Sequence, residues 1–178
     1  MAQKKTIAIA GVTGRKQTII AKKLSQANYR VLIIAKPGDP LLTGDAEQRM
    51  PGNDIEVIAC AKDGCWEADI IVLAIPGHDM QEIAGKIQEV ATQKIVASVT
   101  VVKDASRISS GINTQLVKLF PYSKVISVFN VPGSTEVFVT GNDQEALREF
   151  SDIIKTAGFD PVNFISLEEL ADNGVASA

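Results

Sequence analysis

Apolar residues recur along the chain in two rhythms. Thr6 to Ala10 is a short, nearly continuous apolar run, the pattern of a strand buried on both faces. Val31 to Ala35, Ile55 to Ala59, Asp69 to Ile75, Lys94 to Val101, Lys124 to Phe129 and Val137 to Thr140 also read as strands, with Phe159 to Phe164 as a last candidate. Between them the spacing turns helical. Ile19, Ile20 and Leu24 form one stripe, Met80, Ile83, Ala84, Ile87 and Val90 a second, and Ile112, Leu116 and Leu119 a third. The cleanest stripe is Ala146, Leu147, Phe150, Ile153, Ile154 and Ala157, with Gly158 placed to close its helix. Asp79 followed by Glu82 has capping-box spacing and predicts a helix capped at Asp79. Residues 41–54, with Gly44, Pro51 and Gly52, show no clear period. The alternation predicts an α/β protein: a doubly wound, mostly parallel sheet with helices on both faces, a three-layer sandwich.

The length, 178 residues, suits a single domain over 1–178. A net charge of -3, and no basic run beyond a pair such as Lys22-Lys23, argue against nucleic acid as a partner. The longest apolar run, Ile70 to Ile75, is far short of the roughly 18 residues of a membrane span, so no membrane is expected. The first residues enter a strand without an apolar leader, which points to the cytoplasm. Cys60 and Cys65 lack a second pair or a His cluster, so they read as free thiols and no metal is expected.

The first predicted strand meets the first predicted helix at Gly11-Val-Thr-Gly14-Arg-Lys-Gln17. A nucleotide fold needs small residues here, one glycine for a tight turn and another to let backbone N–H groups approach a pyrophosphate at the helix N-terminus. Gly11 and Gly14 meet those needs, whereas Gln17 stands where a third glycine would let the helix pack closely on the strand. The position after the strand fits a Rossmann-type fold, though a tight βα turn with no ligand has the same form. An acid at the end of the second strand selects NAD, and a basic residue accommodates the 2′-phosphate of NADP. Ile34-Ala35-Lys36-Pro37 carries no acid before Asp39, and Arg15 and Lys36 both suit that phosphate. NADP is therefore the expected cofactor, with two solvated surface charges as the alternative.

Taken together, these stretches resemble the NADP oxidoreductases dependent on the deazaflavin coenzyme F-420, whose cofactor domain is shared with metalloreductases. Gly11-Val-Thr-Gly14 resembles the Gly-Gly-Thr-Gly turn of that family. Glu67-Ala-Asp-Ile-Ile-Val-Leu-Ala-Ile-Pro76 resembles its fourth strand, Lys94 to Thr100 its fifth and Lys124 to Asn130 its sixth. Val137 to Ala146 and Gly158-Phe-Asp-Pro-Val162 are similar to its closing half. The resemblance implies hydride transfer between NADP(H) and a planar small-molecule acceptor of flavin or deazaflavin type. It implies that Thr13 to Lys16 hold the pyrophosphate, within a cofactor-binding turn of Gly11, Val12, Thr13, Gly14, Arg15, Lys16 and Gln17, and that Lys36 meets the 2′-phosphate. Ala74, Ile75, Pro76 and Thr100 would then lie beside the nicotinamide. The chain departs from the family at Gln17, at Val101-Val102 where Asn-Pro is usual, and in the short run after Asn130.

His78, the only histidine, and Asn130 fall at the carboxyl ends of predicted strands, where open α/β sheets bind ligands. As catalytic candidates, His78 would flank the nicotinamide or donate to the acceptor, and Asn130 would orient a carboxamide or an acceptor carbonyl. Otherwise His78 is a polar residue before a cap and Asn130 a turn residue before Val131-Pro132. Trp66 reads as packing, and Glu168, Glu169 and Asp172 as a solvated helix face. Hydride transfer needs no protein nucleophile, because the cofactor carries the chemistry. With nothing further to cover the acceptor, a homodimer is a possible partner arrangement. The alternative function is a non-catalytic NADP(H)-binding sensor or partner-binding module, favoured by Val101-Val102 and the shortened loop. A third reading, suggested by Gln17, is a fold that no longer binds its nucleotide.

Overall fold

Every residue of β1 (Thr6–Ala10) is buried, as a strand at the centre of a parallel sheet must be. The structure is a computed structural model and describes residues 3–11, 15–39, 42, 54–103 and 111–163. The chain continues through α1 (Arg15–Gln26), β2 (Arg30–Ile34), β3 (Ile55–Ile58), α2 (Ala61–Glu67), β4 (Ile70–Leu73) and α3 (Gly77–Ile87). It then forms β5 (Ile95–Val101), α4 (Gly111–Leu119), β6 (Lys124–Asn130), β7 (Glu136–Gly141), α5 (Gln144–Thr156) and β8 (Asp160–Asn163). One eight-stranded sheet results, in the order β3-β2-β1-β4-β5-β6-β7-β8.

Alternate residues of each strand serve opposite faces. Ile7, Ile9, Val31, Ile33, Ile126 and Val128 pack under Ala21 and Leu24 of α1 and Leu147, Phe150, Ile153 and Ile154 of α5. Ala8, Leu32, Ile71, Leu73, Val96 and Val125 pack under Cys65 of α2, Met80, Ala84 and Ile87 of α3 and Leu116 of α4. The protein is thus the expected doubly wound, three-layer Rossmann-type α/β sandwich. The first strands run parallel through β6, but β7 pairs antiparallel with β6 and parallel with β8. Residues 131–135 connect β6 to β7, too few for a parallel crossover, so the chain must reverse there.

Several expectations need correction. The helix predicted from Asp79 begins two residues earlier at Gly77, with Pro76 at the N-cap and no side-chain capping bond. Proline's fixed φ and absent N–H suit a helix start, so Asp79 lies within the first turn rather than before it. Val90 is buried but lies beyond the end of α3. The strand expected over Asp69 to Ile75 is confined to Ile70–Leu73, and Asp69 instead accepts a 2.8 Å bond from the Thr6 backbone N–H. Helix α2 was not expected at all. Trp66, expected to pack, is 69 % exposed, and its carbonyl, with that of Cys65, accepts from Lys94 Nζ at 2.7 Å. A cation there complements the negative end of α2. Gly158 closes α5 with φ +97°, as expected. The periodless run 41–54 lies largely outside the described residues, and Glu168, Glu169 and Asp172 lie wholly outside them.

Candidate functional site

The strand order reverses at β1 and β4: the chain moves from β1 out to β3, then returns to β4 on the other side. Ligands of open α/β sheets bind in the crevice at such a point, beyond the carboxyl ends of the strands. Gly11 stands there, directly after β1, with φ +90°. A β-carbon on it would strike Ile75 Cγ2 and lie 2.5 Å from the carbonyl oxygen of Ala74. Only glycine permits both the backbone angle and this approach. The demand comes from the β4–α3 connection as well as from any ligand, and it holds that connection against the end of β1.

A cavity of about 530 Å³ opens at this edge, within the usual range for small-molecule sites. Gly11 and the segment Ala74–Gly77 form one side. Ser98, Thr100 and Val101 of β5 form the floor, and Met80 of α3 with Gln115 and Leu116 of α4 close the far wall. Its interior is mostly apolar, with hydroxyl and amide groups at Ser98, Thr100 and Gln115 to fix orientation. Of the residues named from sequence, Gly11, Ala74, Ile75, Pro76 and Thr100 lie together along this cavity.

Other expected residues stand apart. Val12, Thr13 and Gly14 lie outside the described residues, and Arg15, Lys16 and Gln17 are described only as the first turn of α1. Lys36 is exposed at the end of β2, and its ammonium lies 3.8 Å from Asp79 Oδ2. His78 and Asn130 do not line the cavity. His78 is an exposed residue in the first turn of α3, its Nε2 3.5 Å from Asp79 Oδ1. Asn130 ends β6 with the parity of Ile126 and Val128, hence on the face covered by α1 and α5, opposite α3 and α4. Its Oδ1 is buried and has no hydrogen-bond partner among the described residues. That atom is an acceptor and suits an N–H donor such as a carboxamide, while the Nδ2 of the same amide is a donor that suits a carbonyl. Among the described residues, no three His, Cys, Asp or Glu side chains come together to hold a metal, and no helix is long and apolar enough to cross a membrane.

Ser98, Met80, Gln115 and Leu116 were not anticipated as cavity residues. A serine amid the apolar residues of a predicted strand was the available signal for Ser98. Nothing in the sequence pattern shows which turn of α4 meets the end of β5.

A glycine turn at a sheet's switch point, beside a cavity formed by the carboxyl ends of the next strands, defines a Rossmann-type nucleotide-binding protein. The chain belongs to the family of coenzyme F-420-dependent NADP oxidoreductases, whose model matches residues 6–102. That match spans β1 to the end of β5, and NADP is the cofactor that membership assigns. Solved structures share the fold over nearly the whole chain. A candidate F-420-dependent NADP-reductase from Arthrobacter sp. FB24 is 22 % identical, with TM-score 0.69, covering 94 % of this chain and 87 % of that one. A pyrroline-5-carboxylate reductase from Coxiella burnetii is 16 % identical, with TM-score 0.69, covering 97 % and 63 %. Plasmodium falciparum pyrroline carboxylate reductase, solved with NADP bound, is 15 % identical, with TM-score 0.61, covering 90 % and 57 %. The chain therefore spans less than two thirds of either pyrroline carboxylate reductase. No curated protein matches it.

Proposed function

We propose that this chain binds NADP(H) along the carboxyl edge of its sheet and directs hydride transfer to a planar acceptor of flavin or deazaflavin type. The observation that carries this is the cavity at the switch point, bounded by the glycine that presses on the β4–α3 connection. In this reading the turn from Gly11 to Gln17 holds the pyrophosphate, with the α1 N-terminus supplying backbone N–H groups and a favourable dipole. Lys36 faces the 2′-phosphate. Ala74, Ile75, Pro76 and Thr100 bound the nicotinamide. Bound NADPH supplies the hydride; the chain's own residues position the ring and keep water from one face. Asn130, outside the cavity, would reach a ligand carboxamide only at the rim of the sheet, where its unpaired Oδ1 is the available acceptor. His78, exposed in the first turn of α3, would meet an acceptor from solvent rather than grip the cofactor.

The acceptor approaches the open side of the site, where Val101 is 65 % exposed. We propose that a second copy covers this side in a homodimer, that residues 1–178 act as one nucleotide-binding domain, and that the protein works in the cytoplasm, a setting consistent with its free thiols Cys60 and Cys65. The test follows nicotinamide absorbance with NADPH and a series of flavin and deazaflavin acceptors. Oxidation of NADPH with one of them supports the proposal, and its absence with all of them removes the acceptor assignment. A non-catalytic NADP(H) sensor remains the second reading, favoured by Val101-Val102, and binding without turnover identifies it.

A further inference from the structure

Asp79 stands on the opposite side of the switch point from Lys36. Lys36 follows β2 and Asp79 lies in α3, which follows β4. β1 separates those two strands in the sheet. Strands are spaced about 4.8 Å apart, so the gap from β2 to β4 is roughly 10 Å. The 3.8 Å approach of Lys36 Nζ to Asp79 Oδ2 therefore lays the lysine side chain over the carboxyl end of β1. Asp79 does not cap α3, whose N-cap is Pro76. The other oxygen of its carboxylate faces His78 Nε2 at 3.5 Å.

In dinucleotide folds an acid beside the adenine ribose favours NAD by taking a hydrogen bond from the 2′-hydroxyl, and a cation favours the 2′-phosphate. The second strand here ends without that acid. The fold supplies one from the other wall of the crevice, in contact with the cation itself. We propose that Asp79 sets how strongly the site prefers NADP over NAD, by competing with the ribose 2′-phosphate for Lys36. This rests on the assignment of Lys36 to the 2′-phosphate made above. A phosphate seated on Lys36 meets the carboxylate within one side chain's length, whereas the uncharged 2′-hydroxyl of NAD meets an acceptor. Asp79 thus lowers NADP affinity and leaves NAD affinity unchanged or slightly raised.

The test is calorimetric titration with NADPH and with NADH of the unaltered protein, Asp79→Asn and Lys36→Met. Both side chains lie at the surface, and melting temperatures check that each variant folds as the parent does. Neutralising one partly exposed charge beside a phosphate gives about a fivefold change. Asp79→Asn is expected to raise the NADPH-to-NADH affinity ratio about fivefold, chiefly through NADPH, and Lys36→Met to lower it. If Asp79→Asn leaves the ratio unchanged while Lys36→Met lowers it, the inference about Asp79 is overturned and the role of Lys36 stands. If Lys36→Met leaves the ratio unchanged, the ribose does not meet Lys36 and both assignments fall. No binding of either nucleotide by the unaltered protein removes the cofactor reading itself, and this inference with it.

Discussion

Gly11→Ala should be among the most damaging methyl additions in the molecule. Its backbone sits at φ +90°, where an L-residue pays roughly 1–2 kcal/mol. The new β-carbon would also meet the Ala74 carbonyl at 2.5 Å and run into Ile75 Cγ2. The Ala74 oxygen belongs to backbone and cannot swing aside, so the β4–α3 connection must shift, at a further cost of about 1–3 kcal/mol for overpacking. The total is about 2–5 kcal/mol, equivalent to a fall of roughly 4–20 °C in melting temperature for a chain of this size. Gly38→Ala is the control: φ is +86° there, but among the described residues nothing lies within 4 Å of the added carbon. It carries the backbone term alone, about 1–2 kcal/mol. Thermal or urea denaturation of both variants separates the two contributions. NADPH affinity should fall at least tenfold in Gly11→Ala, because the displaced segment Ala74–Gly77 lines the cavity. A Gly11→Ala protein no less stable than Gly38→Ala would refute the claim that the glycine turn presses on the β4–α3 connection.

Other expectations test the frame around the site. Asp143 caps α5 by accepting a 2.8 Å bond from Ala146 N–H, so Asp143→Ala should cost about 1 kcal/mol in urea denaturation, and no loss would show the cap is idle. Ser127 Oγ is buried with no partner among the described residues, so Ser127→Ala should be neutral or stabilising by up to about 1 kcal/mol. A clear loss there would mean the hydroxyl is bonded. Burial pushes the Cys65 thiol from 9.0 up to about 12, so the folded state holds this proton more tightly than the unfolded chain does. The resulting stability is full below pH 9 and is lost as pH rises through about 12, and Cys65→Ala should lack that part of the alkaline decline. At neutral pH a thiol reagent should label exposed Cys60 in the native protein and reach Cys65 only after denaturation.

The parts of the fold legible in the sequence are those whose burial leaves a pattern. β1, β2 and β6 are buried on both faces, so they read as apolar runs. α5 has one buried side, and its stripe shows it. α2 escaped because only Gly64 and Cys65 of its seven residues are buried, and two adjacent residues make no helical period. Its exposed Trp66 looked like core for the same reason: an aromatic residue beside a strand does not say which way it points. The reversal at β7 was encoded in the brevity of 131–135, a length signal rather than a periodic one. At the site, Gly11 was legible because backbone geometry restricts the residue at a tight turn, and Ala74 to Pro76 were legible only through the family resemblance. Gln115 and the Lys36–Asp79 pair depend on how distant elements dock, which one-dimensional spacing does not carry.

The proposed function rests on nucleotide binding between Gly11 and Gln17, beside the β4–α3 connection. Calorimetric titration of NADPH into the unaltered protein and into Gly14→Asp tests it most directly, because the substitution places a carboxylate against the pyrophosphate. NADPH is expected to bind saturably at one site, more strongly than NADH, and to lose that binding in Gly14→Asp. NADPH binding that survives Gly14→Asp unchanged would place the pyrophosphate elsewhere and contradict it.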